Sequence, residues 1–293
     1  MLNTYKRQKA GQQKGFILVI VLLVTALLVT MAVEFAHKVY TGITGLHNLM
    51  IMERLSVESD SLVESASGML QSALQQGIIN AGGPEMQFAL ENGVTLYFDA
   101  SDENARFNVN TVVSPNGDVN QDAYQSFQRL LGALGLDKSI ADQLVAWVNA
   151  KRAKGGTALN GGWLGSTSEF RLFVDPASYD KLRDYITVFG NGLININTAD
   201  VPVLMSLADE NGNAVSKDLA QNIATRRSMQ QYGSIGELSS TAGFESLGMA
   251  LAGKITTSSS AMDLTARAEQ EGIKRITQAV VSTSGTVLYW REF

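Results

Sequence analysis

From Phe16 to Val33 the chain carries no charged residue, and this run starts directly after Lys14-Gly15, behind the basic residues Lys6, Arg7, Lys9 and Lys14. A stretch of that length approaches the minimum of about 17 residues for a helix that crosses a bilayer. In an ordinary secretory signal the small-residue cleavage site follows the apolar region, and removal frees a soluble chain. Nothing of the A-x-A kind follows Val33. A cut between Gly15 and Phe16 leaves instead a mature chain that begins with the apolar helix itself; an anchor that is never cut is the alternative. Lys and Arg beside a span are retained in the cytoplasm, so everything after Val33 is expected outside it.

The residues beyond the span narrow the class of activity. The net charge of -5 argues against a nucleic-acid or anionic-membrane partner for this part, because phosphate binding needs clustered Lys and Arg. Both histidines, His37 and His47, fall next to the span, and there is no cysteine, so acid–base chemistry would rest on scattered carboxylates alone. Gly248 to Lys254 has P-loop spacing, but Ile255 stands where the magnesium-holding hydroxyl belongs and no strand precedes it. No catalytic residue is assigned.

Apolar residues Val39, Ile43, Leu46 and Met50, then Leu62, Ala66, Met69 and Ala73, recur at spacings of three and four with no proline before Pro84. They predict that one helix covers 16–77, on the order of 90 Å at 1.5 Å per residue. Val94 to Phe98 reads as a half-buried strand, and Ile273 to Ser282 with Thr286 to Phe293, split by Ser284-Gly285, as a hairpin. An α+β fold follows, with the long helix on an antiparallel sheet formed by 78–107 and 254–293.

Residues 108–253 are then a helical insert that repeats itself. Asn108-Val109-Asn110-Thr111 returns as Asn195-Ile196-Asn197-Thr198. Each copy is followed by a Leu-rich helical pattern, a second helix, and Ser-x-x-Glu before an apolar residue (Ser166 to Phe170, Ser234 to Leu238). That spacing predicts capping boxes. The order gives two related helix-hairpin-helix (SAM-like) units, about 108–170 and 195–245.

The segments Ser166–Leu172, Tyr179–Val188, Asn195–Ala199 and Arg106–Asn110, with the junction Lys14-Gly15-Phe16, resemble the K class of type II secretion minor pseudopilins over nearly the whole chain. The resemblance implies a pilin-like fold and a cleaved leader, 1–15, removed by a prepilin peptidase between Gly15 and Phe16, with N-methylation of Phe16. It also implies an inner-membrane anchor with a periplasmic C-terminal domain, and an inner-membrane assembly platform that builds the pseudopilus shaft. The subunit would cap the tip, bound to I- and J-class minor pseudopilins, and help to export folded proteins. Most pilin-like subunits carry Glu at the fifth mature position, paired with a neighbour's terminal amine; here that position is Ile20, which suits a subunit with no neighbour beyond it.

Some family members bind calcium in the helical domain, but this chain reads Trp147-Val148-Asn149-Ala150-Lys151-Arg152 where the family has acids. Two other oxygen-rich loops, with Asn116, Asp118, Asn120 and Asp122 and with Asp209, Asn211 and Asn213, alternate polar side chains. Gln121 and Ala214 occupy the EF-hand glycine place and no Glu stands at the twelfth, so solvated turns are expected and no cofactor is assigned. Two rivals remain. A type IV pilus minor pilin would share leader and span. A membrane-anchored helix-hairpin-helix DNA-uptake protein would share Asn-Ile-Asn-Thr-Ala, yet 208–218 is long and acidic where a phosphate-holding hairpin belongs, and Arg226-Arg227 are expected to be solvated.

The leader order has a direct readout. Mass spectrometry of the membrane-bound protein is expected to show Phe16 as the N-terminal, methylated residue, and a bulky substitution of Gly15 to block processing; an intact leader, or a cut after Val33, contradicts it.

Overall fold

The computed structural model describes residues 2–75, 84–153, 163–209, 211–245 and 247–293, and no side chains before Phe16 or at 71, 73–75, 247 and 248. The basic leader side chains, Ala73, the helix–sheet boundary at 76–83, the Gly-rich connection 154–162 and Glu210 therefore lie outside the described residues.

Helix α1 runs from Leu2 to Gln75 without a break. It is followed by strands β1 (Met86–Ala89) and β2 (Thr95–Asp102). After the insert, whose described residues include four short strands, come β7 (Ala261–Gln270), β8 (Ile273–Ser282) and β9 (Val287–Glu292). These five form one antiparallel sheet in the order β1-β2-β7-β8-β9. The expected C-terminal hairpin is thus present, turning at Ser284-Gly285, where Gly285 has φ of 89°.

The seam between helix and sheet is not the one the apolar spacing picks out. The buried residues are Ile51, Leu55, Ser59, Val63, Ser67 and Leu70, while Leu62 and Ala66 lie beside them and Met69 is exposed. Two seam positions are serines, and the facing positions of the sheet include Ala266, Ala268 and Ala279. Small side chains on both sides leave little for an apolar count to detect, although they let backbones approach closely. The hydroxyls are satisfied locally: Ser59 Oγ lies 2.8 Å from Thr277 Oγ1, Thr277 donates to Asp60 Oδ1 at 2.6 Å, and Ser67 donates to Val63 O at 2.7 Å.

The insert stands at the end of the sheet away from the span. The β7–β8 turn is the near end, where Glu271 meets His47 of α1 at 3.0 Å. The chain leaves β2 at Asp102 and returns into β7 at Ala261, beside Met262 and Ala100, which pack with Val63 and Leu70 farther up α1.

The first unit begins at β3 (Phe107–Asn108) and passes through a 3-10 turn (Val109–Thr111), α2 (Gln121–Ala133), α3 (Ile140–Ala153), a 3-10 turn (Thr167–Leu172) and α4 (Pro176–Leu182). It closes on β4 (Ile186–Thr187), parallel to β3. The second runs from β5 (Ile194–Asn195) through α5 (Val201–Leu204), α6 (Lys217–Met229), a 3-10 turn (Ile235–Ser240) and α7 (Leu247–Ala250). It closes on β6 (Ile255–Thr256), parallel to β5. One continuous hydrophobic core, from Phe107 to Ile255, serves both units, with Phe127 stacked 5.6 Å from Phe107 and edge-on at 6.3 Å to Phe170.

The second asparagine of each Asn-x-Asn is the clasp that closes its unit. Asn110 Nδ2 donates to Leu164 O (3.0 Å) and Val188 O (3.1 Å), and its Oδ1 accepts from Leu164 N (2.9 Å). Asn197 Nδ2 donates to Tyr232 O (2.9 Å) and Thr257 O (3.1 Å), and its Oδ1 accepts from Tyr232 N (2.8 Å). A primary amide, with donors and an acceptor on one planar group, is suited to this three-way closure.

The capping boxes differ from expectation. Ser166 Oγ caps as expected, accepting from Ser168 N (3.2 Å), but Glu169 Oε1 reaches past the cap to Gly165 N (2.8 Å) and Glu237 Oε1 to Gly233 N (3.2 Å), while Ser234 makes no side-chain cap bond. Both turns are 3-10, too tight and short for the reciprocal α-helical arrangement. In each unit the glutamate also receives a cation from the preceding helix, Lys151 at 2.7 Å and Arg226 at 3.3 Å.

Sheet and insert are joined by Asp102-Glu103-Asn104, each 2% exposed. Asp102 accepts from Asn104 N (2.8 Å), Asn195 Nδ2 (2.7 Å) and Thr198 Oγ1 (2.6 Å), which ties the sheet to the second unit. Glu103 accepts from Arg106 at 2.8 Å and from Thr187 Oγ1 in β4, tying it to the first. Asn104 Nδ2 donates to Asn191 Oδ1 and Leu193 O, both at 2.7 Å, and its Oδ1 accepts from Ser260 N at 2.7 Å. Removing the shared acceptor with Asp102→Ala leaves three donors without a partner, and thermal or denaturant unfolding is expected to show a loss of about 3–5 kcal/mol; a change within about 0.5 kcal/mol would contradict this role.

Burial pushes the Glu103 carboxyl above its ordinary value of 4.5, although Arg106 and Thr187 pull the other way. A raised folded-state pKa gives a contribution that is complete below the unfolded pKa and lost as pH rises through the folded one. Relative to Glu103→Gln, the wild type should therefore gain stability as pH falls from 7 towards 4.5. A relative loss over that window would show that the Arg106 pairing dominates.

Candidate functional site: the unpartnered stem and the head above it

From Phe16 to Met50 the side chains of α1 are exposed among the described residues. Its most apolar window reaches a mean hydropathy of 3.1 and none of it is buried, so the helix is long and apolar enough to cross a membrane. Phe16 is 67% exposed, and Ile20, one helical turn on, 46%; both belong to this uncharged sleeve. Gly15 and Phe16 are themselves helical. Glu34, His37 and Lys38 then form a polar collar above Val33.

Above the collar the apolar side chains continue outside any bilayer. Val39, Ile43, Leu46 and Met50 are all exposed, at three- and four-residue spacing, and burial against the sheet starts at Ile51. Large exposed apolar stripes of this kind mark a surface that another molecule covers. The span supplies the reason for its shape, since a second helix packed on the first in the bilayer would run on along this stripe.

The head's two oxygen-rich loops are tight turns, closed by the antiparallel bridges Val113–Val119 and Ala208–Ala214. In the first, Asn116 is bonded to Asp118, Asn120 Oδ1 caps α2 by accepting from Ala123 N (3.3 Å), and Asp122 accepts from Lys254 Nζ (2.7 Å). In the second, Asp209 accepts from Asn211 N, Asn213 N and Asn213 Nδ2 at 2.7–2.9 Å, bonds that hold its carboxyl below its ordinary value. These oxygens accept from the chain's own donors, which closes both turns. Among the described residues no three His, Cys, Asp or Glu side chains converge as metal ligands.

The basic side chains are similarly occupied, which corrects the expectation for Arg226-Arg227. Arg227 is half-buried and donates from Nη1 to Ile196 O (2.9 Å) and Ala199 O (2.6 Å), with desolvation lowering its pKa. Arg226 stacks 4.4 Å over the Tyr232 ring and reaches Gln230 O (3.1 Å) as well as Glu237. Arg227 ties α6 to the start of its unit and Arg226 ties it to the turn that follows, where helical spacing alone would have left both in water. Lys254 of the P-loop-like stretch donates to Ala208 O (2.8 Å) and Asp122, not into an anion cradle.

Two clefts flank the junction. One, about 370 Å³, lies between the sheet and the first unit and includes Glu103, Arg106, Tyr179, Asp263 and Tyr289. Burial raises the Asp263 carboxyl, but Gln278 bonds it at 2.7 Å and Arg106 stands 3.9 Å away. The other, about 440 Å³, lies between the units and includes Asp200 and Arg227. Glu103, Arg106 and Asp263 belong to the junction of head and sheet, and Arg227 to the closure of the second unit.

Comparison with known proteins agrees with this division. Residues 105–191 match one family model, and 194–258 a second, both described as type II secretion system (T2SS), protein K; the boundary falls in the linker between β4 and β5. No curated protein matches the chain. A chain in the crystal structure of the GspK-GspI-GspJ complex from the enterotoxigenic Escherichia coli type 2 secretion system shares the fold, with a TM-score of 0.65 at 16% identity, over 84% of this chain and 98% of that one. The two family matches adjoin and together take in just over half of the sequence, on a head carried by a single apolar N-terminal helix: the chain belongs to the type II secretion system protein K family, and is a minor pseudopilin of that system.

Proposed function

We propose that this subunit caps the tip of the pseudopilus, anchored before assembly in the inner membrane with its head in the periplasm. There it binds I- and J-class minor pseudopilins along its stem and helps to start the filament that exports folded proteins. The observation that carries this reading is the uncharged sleeve with Ile20 at the fifth position after the predicted cut. A carboxylate there serves an ordinary subunit by pairing with a neighbour's amine; a terminal subunit has no such neighbour, and an unpaired carboxylate in hydrocarbon is costly.

The position of the head supports the same place in the filament. It rises from the end of the sheet opposite the span-proximal β7–β8 turn, so a subunit stacked directly above would have to occupy its volume. The stem stripe Val39, Ile43, Leu46 and Met50 leaves lateral contact free for smaller pilin-like helices. The solved GspK-GspI-GspJ assembly makes I- and J-class subunits the partners to test first.

Two outcomes follow. Ile43→Glu with Leu46→Glu should reduce co-purification with the I- and J-class subunits while leaving the unfolding of the head unchanged, because neither side chain touches the sheet; unaltered co-purification contradicts the assignment of the stripe. Ile20→Glu should leave the amount of this protein in sheared filaments equal or lower, since a carboxylate within the span carries an insertion cost and a terminal subunit offers it no amine. A clear gain in incorporation would indicate a subunit repeated along the shaft.

A further inference from the structure

We infer that α1 contains a joint at Tyr40-Thr41-Gly42-Ile43-Thr44-Gly45, at which the helix bends and opens so that head and span change their relative orientation. Between Val33, the last uncharged residue of the span, and His47, which reaches Glu271 of the β7–β8 turn, every side chain of the helix is exposed among the described residues. Isolated helical segments of this length are marginal in water, so the local sequence decides whether the segment holds.

The sequence there opposes a rigid rod. None of the six residues is a strong helix former, and two are glycine, the least favourable residue after proline in a helix interior. The flanks differ, with Ala32, Glu34, Ala36 and Lys38 below and Leu46, Leu49, Met50, Met52, Glu53, Arg54 and Leu55 above. A Cβ added at Gly42 or Gly45 would meet no atom within 4 Å, so no crowding within the chain calls for glycine at either place. Both threonines bond back to the preceding turn, Thr41 Oγ1 to His37 O (2.9 Å) and Thr44 Oγ1 to Tyr40 O (3.0 Å). Such back-bonds compete for the helix's own acceptors and bend helices.

The joint is also bounded. Directly above it His47 bonds Glu271 of the β7–β8 turn at 3.0 Å, and from Ile51 the seam holds α1 to the sheet. Motion is thereby excluded above the joint, and the head moves as one body with the upper helix. Glycine at two of the positions gives the opened state its backbone freedom.

The chain has no cysteine, so paired spin labels can be placed without a background. With Glu34→Cys and Glu64→Cys in lipid nanodiscs, a continuous helix of 30 intervening steps fixes the label separation near about 45 Å. The joint predicts a broad distribution by pulsed electron–electron resonance in the otherwise wild-type protein. It should narrow towards about 45 Å in Gly42→Ala/Gly45→Ala, and stay broad in the control Gly68→Ala, a glycine on the supported part of α1. Hydrogen exchange across 40–45 should slow by about thirtyfold in the double variant, the factor expected for two glycine-to-alanine changes in a helix interior. A single narrow distance in the unsubstituted background, or exchange and distances that the double variant leaves unchanged, would overturn the joint. Neither measurement depends on where in the filament the subunit sits.

Discussion

Everything above the stem hangs on three consecutive polar side chains at the far end of the sheet. An insert spanning Glu103 to Ser260 leaves and re-enters between two hydrogen-bonded strands, β2 and β7, and without further ties it would swing on its two connections. Asp102, Glu103 and Asn104 give each part a separate tie: the second unit through Asn195 and Thr198, the first through Thr187, and the linker and return strand through Asn191 and Ser260. Burying two carboxylates costs desolvation free energy, visible in the raised Glu103 pKa. What it provides is direction, since hydrogen bonds to several segments permit one orientation where an apolar contact would tolerate many.

The two units above that junction extend the same logic. Each closes on a short parallel pair of strands and a single asparagine, and each braces its 3-10 turn with a glutamate held by a cation from the preceding helix. The shared core then leaves no separate surface at which the units could part. Flexibility is displaced downwards, into the stem, where an orientation-changing element is compatible with a rigid head.

Much of this was readable from residue patterns because the patterns coincide with the physics that makes them. An uncharged run behind basic residues is a span signal, β-branched segments around Ser-Gly make a hairpin, and Asn-x-Asn recurs because each unit needs the same amide in the same place. The seam of α1 was not legible, for Ser59 and Ser67 carry no apolar signal while Leu62 and Met69 nearby do. The junction was hidden for a related reason: Asp-Glu-Asn in a row resembles a surface turn, and only the fold brings Thr187, Asn195 and Ser260 to it. Arg227 likewise shows its function only once Ile196 and Ala199 turn their carbonyls towards it. Patterns report periodic apolar faces; they say little about polar groups whose partners lie far away in sequence.

On the proposed reading, a bulky, rigid head on a slender apolar stem divides the tasks of assembly, with lateral contacts made by the stem and termination by the head. The most direct test of that division is to image pseudopili, isolated with their minor subunits, by cryo-electron microscopy and locate the head's additional density. The account predicts one such density per filament, at one end and absent from filaments of a strain lacking this protein; heads repeated along the shaft would contradict it.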